Sequence, residues 1–305
     1  MSARRYESLS NFYSSKERYL FLGNGINQLN HAAISWTKLL DNIKRQAGVD
    51  VELDPKKSNT LLFEEIAFKM NNGGGTVEDS IQRLKEILAE NAIGLMPHPV
   101  IQNLVKSNIY AHYLTTNYDY CIERCIDPSY DGSTFKSKLF PKYSLFRFNE
   151  IGGVKVWHIH GECNNGYKGS IEYKEKSILI GFEHYSDYLE KVHSLVKDNK
   201  GRGLADLIRD NKENWVHLFY TRDIDIMGFG MDYNETHLWF LLNFRARLKR
   251  KTSLRNRIRW ILPEFALDRQ KDKIQVLKAL DVEVIPVTAA NGDYEGFYRE
   301  FTNSH

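Results

Sequence analysis

An α/β fold with a mostly parallel sheet, helices on both faces and a helical insertion is predicted by three features of this 305-residue chain. Short apolar runs of β character alternate with stretches whose apolar residues recur at helical spacing, the pattern of strand–helix–strand units. Four of the strand-like runs end in loops rich in Gly, Asn, Asp or His. Apolar residues make up 42% of the chain and aromatic residues 12%, enough for a real core and too much for global disorder.

The elements follow in order. "YLFLG", Tyr19–Gly23, is the first expected strand. In "SWTKLLDNI", Trp36, Leu39, Leu40 and Ile43 fall on one helix face, and Ser35 is a suitable N-cap. Three more helical patterns cover roughly Asn59–Met70, Thr76–Glu90 and His98–Lys106, and "TVED" from Thr76 approaches a capping box. "NNGGG" between them reads as a flexible joint. Residues from about 45 to 107 therefore read as a helical insertion between strands. "IYAHYLTTN" is the next strand, with a helix expected from Asp119. "YSLFRFNEIGGVKVWHIHG" reads as two strands joined at Gly152-Gly153. "SILIGF" is read as a further strand and "EHYSDYLEKVHSLV" as a helix. "DIDIMGFG" is a strand and its exit loop, followed by a helix in "NETHLWFLLNFRARLKRK". The strand "RIRWILP", a helix and the strand "VEVIPV" close the series.

In a parallel sheet the ligand crevice lies beyond the carboxyl ends of the strands. That places Gly23–Asn27, Thr115–Asp119, His158–Gly161 and Gly228–Asp232 around one potential site. Gly23-Asn24-Gly25 permits a tight turn and the approach of a phosphate to the backbone. The third glycine of the dinucleotide fingerprint is replaced by Gln28, so this loop alone is also compatible with a plain turn. Asn117 can position a hydroxyl or a water, and Asp119 can accept from an amide. Both residue types also make Asx turns and helix caps. His158 and His160, two apart, would share one side of a strand. A lone imidazole as general base is a more economical reading than zinc, because nothing completes a metal site. Gly228 and Gly230 precede Asp232, Asn234 and Glu235, which form a second nucleotide loop unless Asn234 or Asp232 simply caps the next helix.

Taken together and in this order, "GNGIN", "TTNYD", "HIHG" and "GFGMD" resemble the four nucleotide-site motifs of the Rossmann-like sirtuin fold. The resemblance runs from about residue 18 to 290 and points to the sirtuin-like NAD-degrading effectors of bacterial antiphage defence, such as the Thoeris effector. Ser35, Trp36, Leu39 and Leu40 match a further element common in that branch. The resemblance implies that Gly23, Asn24, Gly25 and Asn27 line the phosphates and ribose of NAD. It assigns Asn117 to the nicotinamide ribose, Asp119 to the carboxamide, and His160, the histidine followed by glycine, to catalysis. Gly228, Gly230 and Asp232 fall on the adenosine side. Deacylase sirtuins carry a four-cysteine zinc module, whereas this chain has three cysteines, Cys121, Cys125 and Cys163. The proline-aspartate-phenylalanine-arginine stretch of the deacylases is also missing. The expected activity is thus cleavage of NAD itself, with NAD as substrate and no metal. A deacylase is the alternative within the family.

A rival reading starts from "FRARLKRKTSLRNRIRW", which holds eight basic residues and no acid between Phe244 and Trp260. Arg245–Arg259 is either a solvated helix end or a patch for DNA or another polyanion. A nuclease would show clustered carboxylates for metal ions, and none stands out. The net charge of +3 decides nothing. No apolar leader or run of about 18 apolar residues is evident, so a cytoplasmic protein without membrane contact is expected. Regulation is expected through a homo-oligomer or a partner such as a HerA-type hexameric ATPase, as in related defence systems.

Overall fold

The computed structural model describes residues 8–30, 33, 35–54, 56–71, 75–132, 145–163, 178–197, 204–210 and 213–304. The expected joint in "NNGGG" falls largely outside these residues.

Seven strands form one sheet: β1 (Ser14–Leu22), β2 (His112–Thr115), β3 (Asn149–Ile151), β4 (Val154–His158), β5 (Arg222–Met227), β6 (Ile258–Pro263) and β7 (Glu283–Val287). Their order is β3-β4-β2-β1-β5-β6-β7. All pairings are parallel except β3 with β4, an antiparallel hairpin turning at Gly152-Gly153 as the sequence predicts. From β1 the chain first builds outward through β2 and β4, then returns to the opposite side with β5, β6 and β7. That reversal beside β1 is the topological switch at which open α/β sheets bind ligands.

The central strand shows why both faces are covered. Tyr19 and Phe21 join one buried cluster and Leu20 and Leu22 the other, as the two-residue period of a strand requires. On the Leu20 face lie α1 (Trp36–Ala47), α2 (Asn59–Asn71), α3 (Val77–Ile93) and α4 (Pro99–Lys106). Leu40, Phe63, Ile66, Leu84, Leu88 and Leu104 carry these helices into the same core as β1. Three of these helices have a chemical start signal. Ser35 Oγ accepts from the Lys38 N–H, Thr76 and Asp79 form a full capping box, and His98 caps α4 ahead of Pro99. Gly48, at φ 68°, ends α1 in the left-handed region.

After β2 come α5 (Cys121–Ile126), α6 (Phe182–Lys197), α7 (Leu204–Arg209), α8 (Trp215–Thr221), α9 (Thr236–Lys249), α10 (Lys271–Ala279) and α11 (Tyr294–Asn303). The opposite core gathers side chains of α6, α8, α9 and α10 around Phe21, Trp157 and Trp260.

Three departures from the sequence reading have physical reasons. β1 starts at Ser14 rather than Tyr19, because its polar half ladders onto β5 across a register shift between Ser14 and Arg18. Within "SILIGF", the described residues 178–182 do not join the sheet: the next position beyond β4 is taken by β3. Ile178 makes only an isolated bridge to Gly161. All seven residues of α8 are buried, so "WVHLFYT" has no polar face and no helical periodicity to detect.

Candidate functional site

The carboxyl end of β1 is built around its two glycines. The Gly23 N–H donates to the Met227 carbonyl at 2.9 Å and the Gly25 N–H to the Gly228 carbonyl at 2.7 Å. A Cβ at Gly23 would sit 2.5 Å from the Gly228 oxygen, and one at Gly25 would sit 2.7 Å from it. Both glycines are thus required by a neighbouring backbone, before any ligand is considered. Gly228 has φ +63°, and a Cβ there would lie 2.8 Å from the Tyr298 hydroxyl. Gly230 differs, since a Cβ there would meet nothing within 4 Å.

Beyond β2, the Thr115 hydroxyl donates to the Leu22 carbonyl at 2.7 Å and accepts from the Asn117 N–H at 3.0 Å. One side chain therefore ties the β1 exit to the loop that carries Asn117. Asp119 is buried; its Oδ1 accepts from the Cys121 N–H and its Oδ2 from Asn27 Nδ2, at 2.9 and 2.8 Å. The helix accordingly starts at Cys121, with Tyr120 at the N-cap position and Asp119 closing an Asx turn just before it, two residues later than the sequence suggests. Burial raises the Asp119 pKa, against the opposing effect of its bonds to Cys121.

These loops enclose a cavity of about 930 Å³, lined by Asn24, Gly25, Asn117, Asp119, His160, Gly228, Gly230 and Asp232 among others. Eight of the ten residues singled out in the sequence thus share one wall. Gly23 and Asn27 stand behind it, Gly23 against the β5 exit and Asn27 against Asp119. Asp232 closes an Asx turn on the Asn234 N–H at 2.9 Å. The insertion supplies the opposite wall, including Lys56, Lys57, Asn59 and Asn91. Asn117 Oδ1 is buried and has no hydrogen-bond partner, an acceptor held at the cavity with its capacity unused.

This arrangement of strand-exit loops agrees with a family comparison. The SIR2-like domain matches residues 111–285, from the start of β2 to within β7 and more than half of the chain. The chain belongs to the SIR2-like domain family. No curated protein matches it. SIR2-like domains bind NAD, and the family carries NAD-related chemistry of the sirtuin type on a Rossmann-like fold. In this SIR2-like domain, β1 and its glycine loop lie outside the matched span, yet β1 occupies the middle of the sheet.

The SIR2-like site separates the two histidines that the sequence places on one side. β4 ends at His158; a turn with Gly161 at φ +80° then carries His160 away from the strand period. His160 reaches the cavity, whereas the His158 side chain is 3% exposed and turned into a polar core. His158 Nδ1 faces the Asn117 carbonyl at 2.8 Å and Nε2 faces Glu123 Oε1 at 2.7 Å. Both partners accept, so both ring nitrogens carry hydrogen. Burial opposes that charge, but Glu123, Glu162 and the Asn117 carbonyl outweigh it and raise the His158 pKa to about 9. Asn149 bridges Glu123 and Glu162, and Arg147 pairs with Glu162. His158 thus supports the Asn117 loop from behind.

Glu235, at the start of α9, has no capping bond to its own helix. Its Oε2 lies 3.1 Å from His160 Nε2 and accepts from the Tyr185 hydroxyl at 3.1 Å. That hydroxyl is also 2.5 Å from His237 Nδ1. Burial would raise the Glu235 pKa, but His160, His237 and Tyr185 bring it down to about 2. His237 is held neutral, its pKa lowered to about 3 by burial and by the nearby His160. The sequence places Glu235 only in a possible nucleotide loop and gives His237 no role, because "NETH" has the look of an ordinary helix start. Among the described residues, His160, Glu235 and His237 are the group whose ligand atoms, all within 4.8 Å of one another, could hold a metal ion. The Tyr185 hydroxyl, however, already engages both Glu235 and His237.

The three cysteines are buried, and burial raises the pKa of each thiol. The basic segment is divided by the fold. Arg245 is buried against Asn256 and Asp281, and Arg259 pairs with Asp225 at 2.6 Å. Arg247, Arg250, Lys251, Arg255 and Arg257 are exposed. Among the described residues, no helix is long and apolar enough to cross a membrane.

Proposed function

We propose that this protein is an NAD glycohydrolase, cleaving NAD to nicotinamide and ADP-ribose. The observation that carries the reading is the meeting of Asn117, Asp119 and His160 in one cavity, with the Asn117 oxygen unpartnered. Nicotinamide leaves as a neutral pyridine, so its departure needs no acid. The reaction passes through an oxocarbenium-like state at the ribose C1′, as glycosidic cleavage does generally. Asn117 orients the incoming water or a ribose hydroxyl. His160 takes its proton, a role suited to imidazole near neutral pH. Asp119, held by Asn27, receives the carboxamide N–H. Lys56, Lys57 and Lys273 lie on the cavity wall, where cations suit the two phosphates. Most of the rate then comes from preorganised dipoles and position.

Water is the favoured acceptor over an acyl-lysine peptide. The chain lacks the four cysteines from which deacylase sirtuins build their zinc module. A role in antiphage defence, depleting NAD in the infected cell as a homo-oligomer or with a HerA-type ATPase, accords with the motifs shared with that branch. The test is nicotinamide release from NAD by the wild type, Asn117→Ala and His160→Ala, with and without candidate partners. Loss of release in both variants is expected, and variants as active as the wild type overturn the assignment.

A further inference from the structure

A carboxylate at a helix start ordinarily bonds the free N–H groups of its own first turn. Glu235 does not; it turns toward His160 instead. The hydrogens around it can be assigned by elimination. Glu235 is an anion and can only accept. Tyr185 donates its single hydrogen to Glu235 Oε2 at 3.1 Å. The 2.5 Å contact of the same hydroxyl with His237 Nδ1 must then use a hydrogen on that nitrogen. His237 Nε2, buried without a partner, keeps the bare lone pair, which costs less there than an unpaired N–H. Across the carboxylate, His160 Nε2 lies 3.1 Å from Oε2, off the axis of a well-formed hydrogen bond. Such bonds in ligand-free sites commonly align only when substrate fills the cavity.

We propose that Glu235 is a positioning residue: its carboxylate fixes the hydrogen of His160 on Nε2, and Tyr185 and His237 hold the carboxylate in place. The consequence is chemical. With hydrogen on Nε2, the lone pair is on Nδ1, and His160 has one defined basic atom. As a proton is taken up at Nδ1, the imidazolium that forms is stabilised by the carboxylate beside it, while the carboxylate itself stays ionised. The inference rests on His160 being the base in NAD cleavage, but the tautomer is measurable without turnover.

The experiment joins both readouts. Histidine ¹⁵N NMR at neutral pH, with His160 assigned through His160→Gln, reads the tautomer in the wild type and in Glu235→Gln. Nicotinamide release is followed in parallel. The wild type is expected to carry its hydrogen on Nε2. Glu235→Gln, whose amide can donate, is expected to shift it toward Nδ1. It should also lower kcat about 100-fold or more with KM changed less than about threefold. Glu235→Asp should recover part of the loss, and it provides the second variant if the Gln form folds poorly. An unchanged His160 tautomer together with an unchanged kcat overturns the proposal. A wild type that binds but never cleaves NAD, with the tautomer still shifting in Glu235→Gln, refutes the glycohydrolase reading while the positioning role stands. Chelation that abolishes activity, with recovery on adding zinc, overturns it in favour of a cation held by His160, Glu235 and His237.

Discussion

Asn27 Nδ2, from the loop after β1, donates to Asp119 Oδ2, from the loop after β2, at 2.8 Å. The bond is fully buried and spans the point where the sheet order reverses. It turns two strand exits into one rigid wall and keeps the Asp119 carboxylate pointed by something other than the ligand. Replacing Asn27 with Leu removes the donor and leaves a buried carboxylate oxygen unpaired, at about 1–3 kcal/mol. We expect a lower melting temperature and at least tenfold weaker NAD binding by calorimetry. Unchanged binding would mean that Asp119 does not depend on Asn27.

The glycines separate scaffold from surface. Gly23→Ala and Gly25→Ala place a Cβ against the Gly228 carbonyl at 2.5 and 2.7 Å, where backbone must move. Overpacking of this kind costs about 1–3 kcal/mol. Gly230→Ala meets no neighbour and should change stability by less than about 0.5 kcal/mol. Urea unfolding of the three variants tests the contrast. If Gly230→Ala weakens NAD binding while remaining stable, the alanine methyl is meeting the ligand.

The sheet and the strand-exit loops were legible because apolar runs broken by Gly, Asn, Asp and His are local patterns. Asn117, Asp119 and His160 could be found for that reason. What those residues lean on was not legible, because it comes from distant parts of the chain. Glu235 reaches His160 from the start of α9, and Glu123 meets His158 from α5, 35 residues earlier in the chain. The sequence offers a phosphate as the reason for Gly23 and Gly25, whereas the packing of both against the Gly228 backbone comes from a strand far along the chain and leaves no local signal. "SILIGF" had strand chemistry, but the place beside β4 is taken by the β3 hairpin, a pairing that no pattern within "SILIGF" reveals.

His158 sets a pH dependence of stability. Its pKa rises from 6.5 to about 9 on folding, so the folded state binds the proton more tightly. This stabilisation is fully present below about pH 6.5 and is lost as pH rises through about 9. Thermal melts from pH 6 to 10 should show the wild type losing stability across that window. His158→Asn should be less stable at pH 7 and should lack this step. A wild-type curve that stays level to pH 10 would refute the buried imidazolium.

The basic segment makes the last prediction, because the fold has sorted its cations. Arg245 has a fully buried side chain paired with Asp281 and bonded to Asn256, so Arg245→Ala leaves buried Asn256 acceptors unpaired and should cost about 1–3 kcal/mol of stability. Arg250 and Arg255 are among the exposed cations of the segment that can meet a polyanion. If this face binds DNA, Arg250→Glu with Arg255→Glu should weaken binding strongly, flatten its salt dependence and leave the melting temperature nearly unchanged. Electrophoretic or anisotropy titrations at two salt concentrations measure this directly. Equal binding by the wild type and the double variant, both folded, removes the segment from any nucleic-acid role.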